Sequence, residues 1–348
     1  FCIVAVQLYQ VMCCCFLYKN RIRQDLHIRS RRQRQMCIKN RVSTGKQNSG
    51  GAMEQVGDNI IHHVSNSDIH HPIFPLPHLF NIDMSVTKHV LMLWIVALTV
   101  GFVVILPIQR YVQQHRLIPT GLMNLLEIVV SFVRDTIVKP NVGPKWVNSW
   151  APLILTFLFF IFFANAIGMI PIFDVLGLVN RFVFHVPADD SHNFINGLLH
   201  GGPTATGNFN VTAALAIITF LSIIIAGTKA HGFIQHWKNL VPHGLPGFVY
   251  VILIPIEIIG MFVKPFALTM RLAANMTGGH IALLAILSFM AIFADMFQSV
   301  FAGLGVALIS VPLAVAISGL EIIVIIVQAY VFTLLSAVFI GMAINVHH

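Results

Sequence analysis

Two long stretches of this chain carry almost no charge. Phe248–Phe293 is 46 residues with charged side chains only at Glu257, Lys264 and Arg271. Phe301–Val346 is another 46 residues whose only acid or base is Glu321. As single helices each would reach about 69 Å, roughly twice the ~30 Å hydrocarbon core of a bilayer. Each stretch therefore holds either two spans or one helix too long to stand upright. Pro255, Pro265, Gly278–Gly279 and Pro312 can bend them, yet no loop of Gly, Pro and charge divides either. The expected arrangement is two long, steeply tilted helices in a hairpin.

The rest of the chain agrees with a membrane setting. Of 348 residues 57% are apolar and 10% charged, against roughly 25% charged in a soluble domain. With a mean hydropathy of +0.81, too little polar surface remains to clothe a globule in water, so a soluble enzyme is excluded. Three shorter spans are expected. The first runs from His89 to Ile108, ended by Pro107 and the polar Gln109–Arg116. The second is Trp150–Ile170, and the third Val211–Gly227. Between the first two, residues 121–138 place Glu127, Arg134 and Asp135 among Leu, Ile and Val at helical spacing, the pattern of an amphipathic helix on the membrane surface. The fold class is thus an all-α integral membrane protein with five crossings plus one surface helix.

The net charge of +8 is local. Ten of the 21 basic residues lie between Lys19 and Lys46, and all five cysteines fall in the first 37 positions. Residues 1–52 read as a basic, Cys-containing leader, disordered or non-native, with the working start expected at Met53. Residues 53–85 are a polar tail whose histidines (His62, His63, His70, His71, His78) match no zinc spacing, and residues 86–348 form the membrane domain. Lys and Arg in short loops set orientation. Arg110, Arg116, Arg134, Lys139 and Lys145, and further on Lys229 and Lys238, assign their loops to the cytoplasm, and Asp174–Phe209 falls outside.

A guanidinium within hydrocarbon costs at least ~2.5–3.5 kcal/mol, so Arg271 needs a partner. Glu257, Lys264 and Arg271 are spaced by seven and drift only ~20° per step around a helix. They make one polar stripe, which Asn275 extends by a further turn. In the second arm Gln328 follows Glu321 by seven. One antiparallel register, turning near Ser299–Val300, sets Arg271 beside Gln328 and His280 beside Glu321. A carboxylate next to an imidazole, which titrates near neutral pH, suits a proton path.

The segments "KPFALTMRLAANMTGGH" and "SGLEIIVIIVQAYVFTLLS", with "HHPIFPLPHLFNIDMSVTKHVLMLW" before them, resemble the a subunit of F-type ATP synthases from about Glu54 to Val346. The resemblance implies a non-catalytic subunit abutting a rotating ring of c subunits, held by peripheral-stalk b subunits and the rest of the complex. It implies two offset half-channels that carry protons to and from the ring. It matches Arg271 to the family's essential arginine, which keeps the ring carboxylate ionised and blocks leak. Asn275 and Gln328 match polar positions around it, and Glu257 matches an acid on the cytoplasmic path. His280 and Glu321 stand in the order of mitochondrial forms, exchanged relative to many bacterial relatives. Asn165, Asn210 and Thr212 are candidates for the outer half-channel. No phosphate loop is present, so ATP chemistry belongs to other subunits. No cofactor, metal or nucleic acid is expected, and the setting is a bacterial inner membrane. The alternative, a self-contained ion-coupled transporter or channel, ordinarily shows an internal repeat; none is visible.

Overall fold

The computed structural model describes residues 88–113, 121–169, 204–238, 247–297 and 299–345. The leader, the histidine-containing tail and most of the Asp174–Phe209 loop lie outside the described residues.

The described residues are helical almost throughout. Helix α1 (Lys88–Val100) continues through a π-helical turn, Gly101–Ile105, into α2 (Leu106–Gln113). Helix α3 (Leu122–Phe132) passes through a second π turn, Val133–Val138, into α4 (Lys139–Val142). Helices α5 (Val147–Met169) and α6 (Phe209–His231) follow, separated in the described chain by a 3-10 turn at Ala205–Gly207. A short α7 (Phe233–Lys238) precedes α8 (Gly247–Met296) and α9 (Val300–Ile344), of 50 and 45 residues. Five of these stretches are long and apolar enough to cross a membrane: His89–Gln113, Val147–Met169, Phe209–His231, Val249–Ala294 and Phe301–Ile344. The protein is a multi-pass integral membrane protein.

Each apolar run of the last third is one helix rather than two spans. Upright, α8 would extend about 75 Å, so only a steep tilt keeps its apolar length within a core of ~30 Å. The arms reverse at 297–299, where the Phe297 N–H donates to Phe293 O and the Ser299 N–H to Ala294 O, both at 3.1 Å. The reversal falls where the expected register put it. Gly303 lets the arms close, because a Cβ there would stand 2.8 Å from Ala294 Cβ and 3.1 Å from Met290 O.

Prolines changed less than the sequence suggested. Pro107 was expected to end the first span, yet the helix runs on to Gln113. A proline ring clashes with the carbonyl one turn back and leaves it without a donor. The π turn just ahead of Pro107 widens the helix where that clash would fall. The same device recurs at Val133–Val138, ahead of Pro140. The surface helix therefore extends to Val142. It presents Leu122, Leu125, Ile128 and Phe132 outward and buries Leu126 and, on its continuation, Val133, Ile137 and Val138.

The core gathers around the last half of α9. Phe332 meets Phe157 of α5 edge to face at 5.4 Å, and Thr219 of α6 shares a buried hydrogen bond of 3.3 Å with Ser336. The end of α9 is tied down twice, by His231 Nε2 with Ile344 O at 2.8 Å and by Asn345 Nδ2 donating to Asn141 O at 2.9 Å. Gly227 did not end the third span, which continues to His231. Instead the His236 ring packs against Gly227 after the chain turns at Gly232. Burial, with a smaller push from His231, holds the His236 imidazole below its ordinary value. At the surface, the Arg134 hydrogen bonds hold the Asp135 carboxyl below its usual range.

Candidate functional site

The α8–α9 hairpin places the polar residues of the apolar arms, and its geometry is tightest at Gly279. Glu321 is buried in α9 at 8% exposure. Its carboxyl group lies directly over Gly279, where a Cβ would collide with Oε1 and stand 3.1 Å from Cδ. His280 is the next residue along α8. The Glu321 carboxyl thus lies against α8 one residue from His280. They are not hydrogen-bonded to each other. Glu321 Oε1 and His280 Nε2 are both buried without a hydrogen-bond partner among the described residues, a condition that ordinarily costs ~1–3 kcal/mol per group.

A second polar cluster approaches this level from the side. The turn at 204–207 belongs to the segment expected outside, yet Thr204 and Thr206 are buried. Thr206 Oγ1 donates to Asn165 Oδ1 of α5, and Thr204 lies against Gly168 while its hydroxyl accepts from the Gly207 N–H at 3.2 Å. A Cβ on Gly207 would stand 3.9 Å from Thr277 Oγ1 of α8, and Thr277 is one helical turn before His280. Asn165, Thr206 and Thr277 thus lead from the α5–α6 side towards the His280–Glu321 level. Of the three outer candidates, only Asn165 joins this cluster directly. Thr212 donates to Phe209 O at 2.9 Å and Asn210 donates its N–H to Asn208 Oδ1 at 2.9 Å, so both serve the start of α6. Sequence reasoning missed Thr204, Thr206 and Thr277. The hydroxyl-rich "PTATG" before the third span was the available signal.

Arg271 occupies the opposite kind of position. Leu268, Leu272, Ala273 and Met276 turn inward, whereas Arg271 and Asn275 are exposed beside Phe266 and Met270. Among the described residues Arg271 has no ion pair and no hydrogen bond. Gln328 is buried at 6% exposure in α9, and no hydrogen bond joins it to Arg271. The stripe below also splits. Lys264 turns over the Phe339 ring, with Nζ 5.7 Å from its centroid, and Glu257 is half-buried nearer the start of α8. Helix α8 is also the least covered span: 11% of its most apolar window is buried, against 56% for α6.

These positions all fall within residues 90–341, which match a family model described as ATP synthase A chain. The chain belongs to that family. Relatives agree along most of its length. ATP synthase subunit a 2 of Chlorobium luteolum is 38% identical over 306 residues, covering 85% of this chain and 78% of the relative. ATP synthase subunit a of Myxococcus xanthus is 37% identical over 268 residues, covering 77% and 75%. That of Anaeromyxobacter dehalogenans is 36% identical over 324 residues, covering 86% and 72%. As an ATP synthase A chain, this protein bears out the resemblance carried by its "RLAANM" and "GLEIIVIIVQ" segments. Among the described residues, no group of three His, Cys, Asp or Glu could hold a metal ion.

Proposed function

We propose that this chain is the proton-translocating stator subunit of an F-type ATP synthase in a bacterial inner membrane, with residues 86–348 as its membrane domain. It carries out no ATP chemistry itself. It offers two half-channels to a rotating ring of c subunits and is held by peripheral-stalk b subunits and the rest of the complex. The observation that carries this reading is Arg271, which among the described residues is a cation without a counter-charge, on the uncovered, apolar face of the 50-residue helix α8. Lipid cannot satisfy a guanidinium there cheaply. A partner whose own helices bring carboxylates to that depth can, and each passing carboxylate pairs with the arginine in turn.

The outer path runs by Asn165, Thr206 and Thr277 to His280 and Glu321, with Asn210 and Thr212 at the head of α6. The inner path starts at Glu257. Asn275 and Gln328 flank the arginine, which separates the two. The unpartnered Glu321 and His280 atoms suit groups that exchange protons with water and the ring rather than with each other.

Ala274 is exposed on the Arg271 face, so Ala274→Cys tests the partner. In a background with the five N-terminal cysteines replaced, it is expected to form a disulfide with a cysteine placed beside the carboxylate on the ring's outer face. A solitary transporter or channel yields no such cross-link and does not copurify with a ring.

A further inference from the structure

We propose, resting on the proton-translocating reading above, that the Phe339 ring holds the Lys264 ammonium off the open face of α8, so that Arg271 alone meets the carboxylates arriving there. Phe339 is then a positioning residue. It acts on the ring of c subunits only through the lysine it masks.

Lys264 and Arg271 start from the same edge of the helix. Seven residues bring a helix back to within ~20° of one direction, so the backbone gives both cations nearly the same heading. Their side chains then part. Arg271 is exposed, whereas Lys264 is half-buried, with Nζ 5.7 Å from the Phe339 centroid on α9. Among the described residues no ion pair or hydrogen bond holds either cation. What engages the Lys264 ammonium is the negative face of the aromatic ring, which attracts a cation within about 6 Å. Phe339 is itself packed against the core between the buried Ala337 and Ile340, near the end of α9 that His231 and Asn345 tie down. The ring is therefore a fixed support.

Two cations free on one heading would give a ring carboxylate two places to pair. They would stand about 10.5 Å apart along α8. The steep tilt of α8 turns much of that separation into the membrane plane, the plane in which a ring's rim passes. Opposite charges attract far more strongly in hydrocarbon than in water, so a carboxylate caught by Lys264 would leave slowly and delay each step. Phe262, Val263 and Phe266, exposed beside Lys264, offer a freed ammonium no counter-charge. With the lysine masked, one pairing position remains.

The test uses the assembled complex in vesicles, with ATP-driven proton pumping expressed per copurified ring. Phe339→Leu removes the aromatic face and should lower pumping about fivefold, or ~1 kcal/mol, the size of one cation–π contact. Phe339→Tyr keeps a face and should pump like the parent. Lys264→Gln alone should do the same, and added to Phe339→Leu it should restore pumping. A membrane-permeant carbodiimide, which condenses a carboxylic acid with an amine, reads the contact itself. It should join Lys264 to a ring carboxylate in Phe339→Leu and not in the parent. If Phe339→Leu does not assemble, Phe339→Met, which fills the gap without an aromatic face, takes its place. The proposal fails if losing the aromatic face leaves pumping unchanged, if Lys264→Gln does not restore it, or if the new link joins Lys264 to Glu257. Arg271→Ala, run alongside, separates the two readings. Normal pumping in that variant overturns both, whereas lost pumping there with any of those three results overturns the masking of Lys264 alone.

Discussion

Arg271→Ala is expected to abolish ATP-driven proton pumping in vesicles while the ring still copurifies with the chain. The side chain is exposed and pairs with nothing else among the described residues, so its loss opens no cavity and strands no partner. Substitutions at such positions usually change stability by less than about 0.5 kcal/mol. In the proposed function the charge itself does the work. Without a cation at that depth, a ring carboxylate arriving at the stator has nothing to favour its ionised form, and protons pass between the half-channels without turning the ring. Removing a preorganised charge of this kind typically costs about 100-fold or more in rate. Coupled flux should fall by at least that much, with passive leak rising as it falls. Arg271→Lys keeps a positive charge but not the planar fork that can hold a carboxylate with two hydrogen bonds, so it should recover only part of the pumping.

The second large effect belongs to Glu321. Glu321→Leu is expected to lower passive proton flux, measured after the catalytic sector is stripped away, by about 100-fold, the lower end of what a positioned proton-transfer group contributes. Assembly should survive, because replacing a buried carboxylate by an apolar side chain of similar volume is often neutral or stabilising. A companion variant separates chemistry from position. Gly279→Val retains both Glu321 and His280 but puts a side chain where the carboxylate now lies. Flux should fall to a similar extent although both titratable groups remain. If Gly279→Val conducts normally, the contact between the arms does not place the acid, and the level at His280 and Glu321 is not the outer path.

Much of this architecture was legible because hydrocarbon imposes long, simple signals. A run of 46 residues with three charges allows few folds, and one antiparallel register put Glu321 beside His280, one residue from the Gly279 it lies against. Local geometry was less legible. Pro107 looked like a stop because sequence patterns assume one kind of helical turn, and a π turn ahead of a proline leaves no periodicity to read. The turn at 204–207 was hidden for another reason. Its residues are polar and sit in a Gly-rich stretch, so they look solvated. Their burial depends on Asn165, 41 positions earlier than Thr206, and on Gly168 and Thr277 in other helices. No local pattern reports a contact of that range. The direction of Arg271 was likewise unreadable. Spacing placed it on a stripe with Glu257 and Lys264, but packing turned Lys264 onto Phe339 and left Arg271 on the open face.

The most direct test of the central claim, two half-channels separated at Arg271, is sided chemical access in the assembled complex. All five native cysteines lie within the first 37 positions, so a cysteine-free background alters nothing in the membrane domain. Thr277→Cys and Glu257→Cys, made singly in that background, are exposed to a small membrane-impermeant thiol reagent from one side at a time. The account predicts that Thr277→Cys reacts only from the outer side and Glu257→Cys only from the cytoplasmic side. Reaction of both positions from one side would mean a continuous pore past Arg271, and would contradict the account.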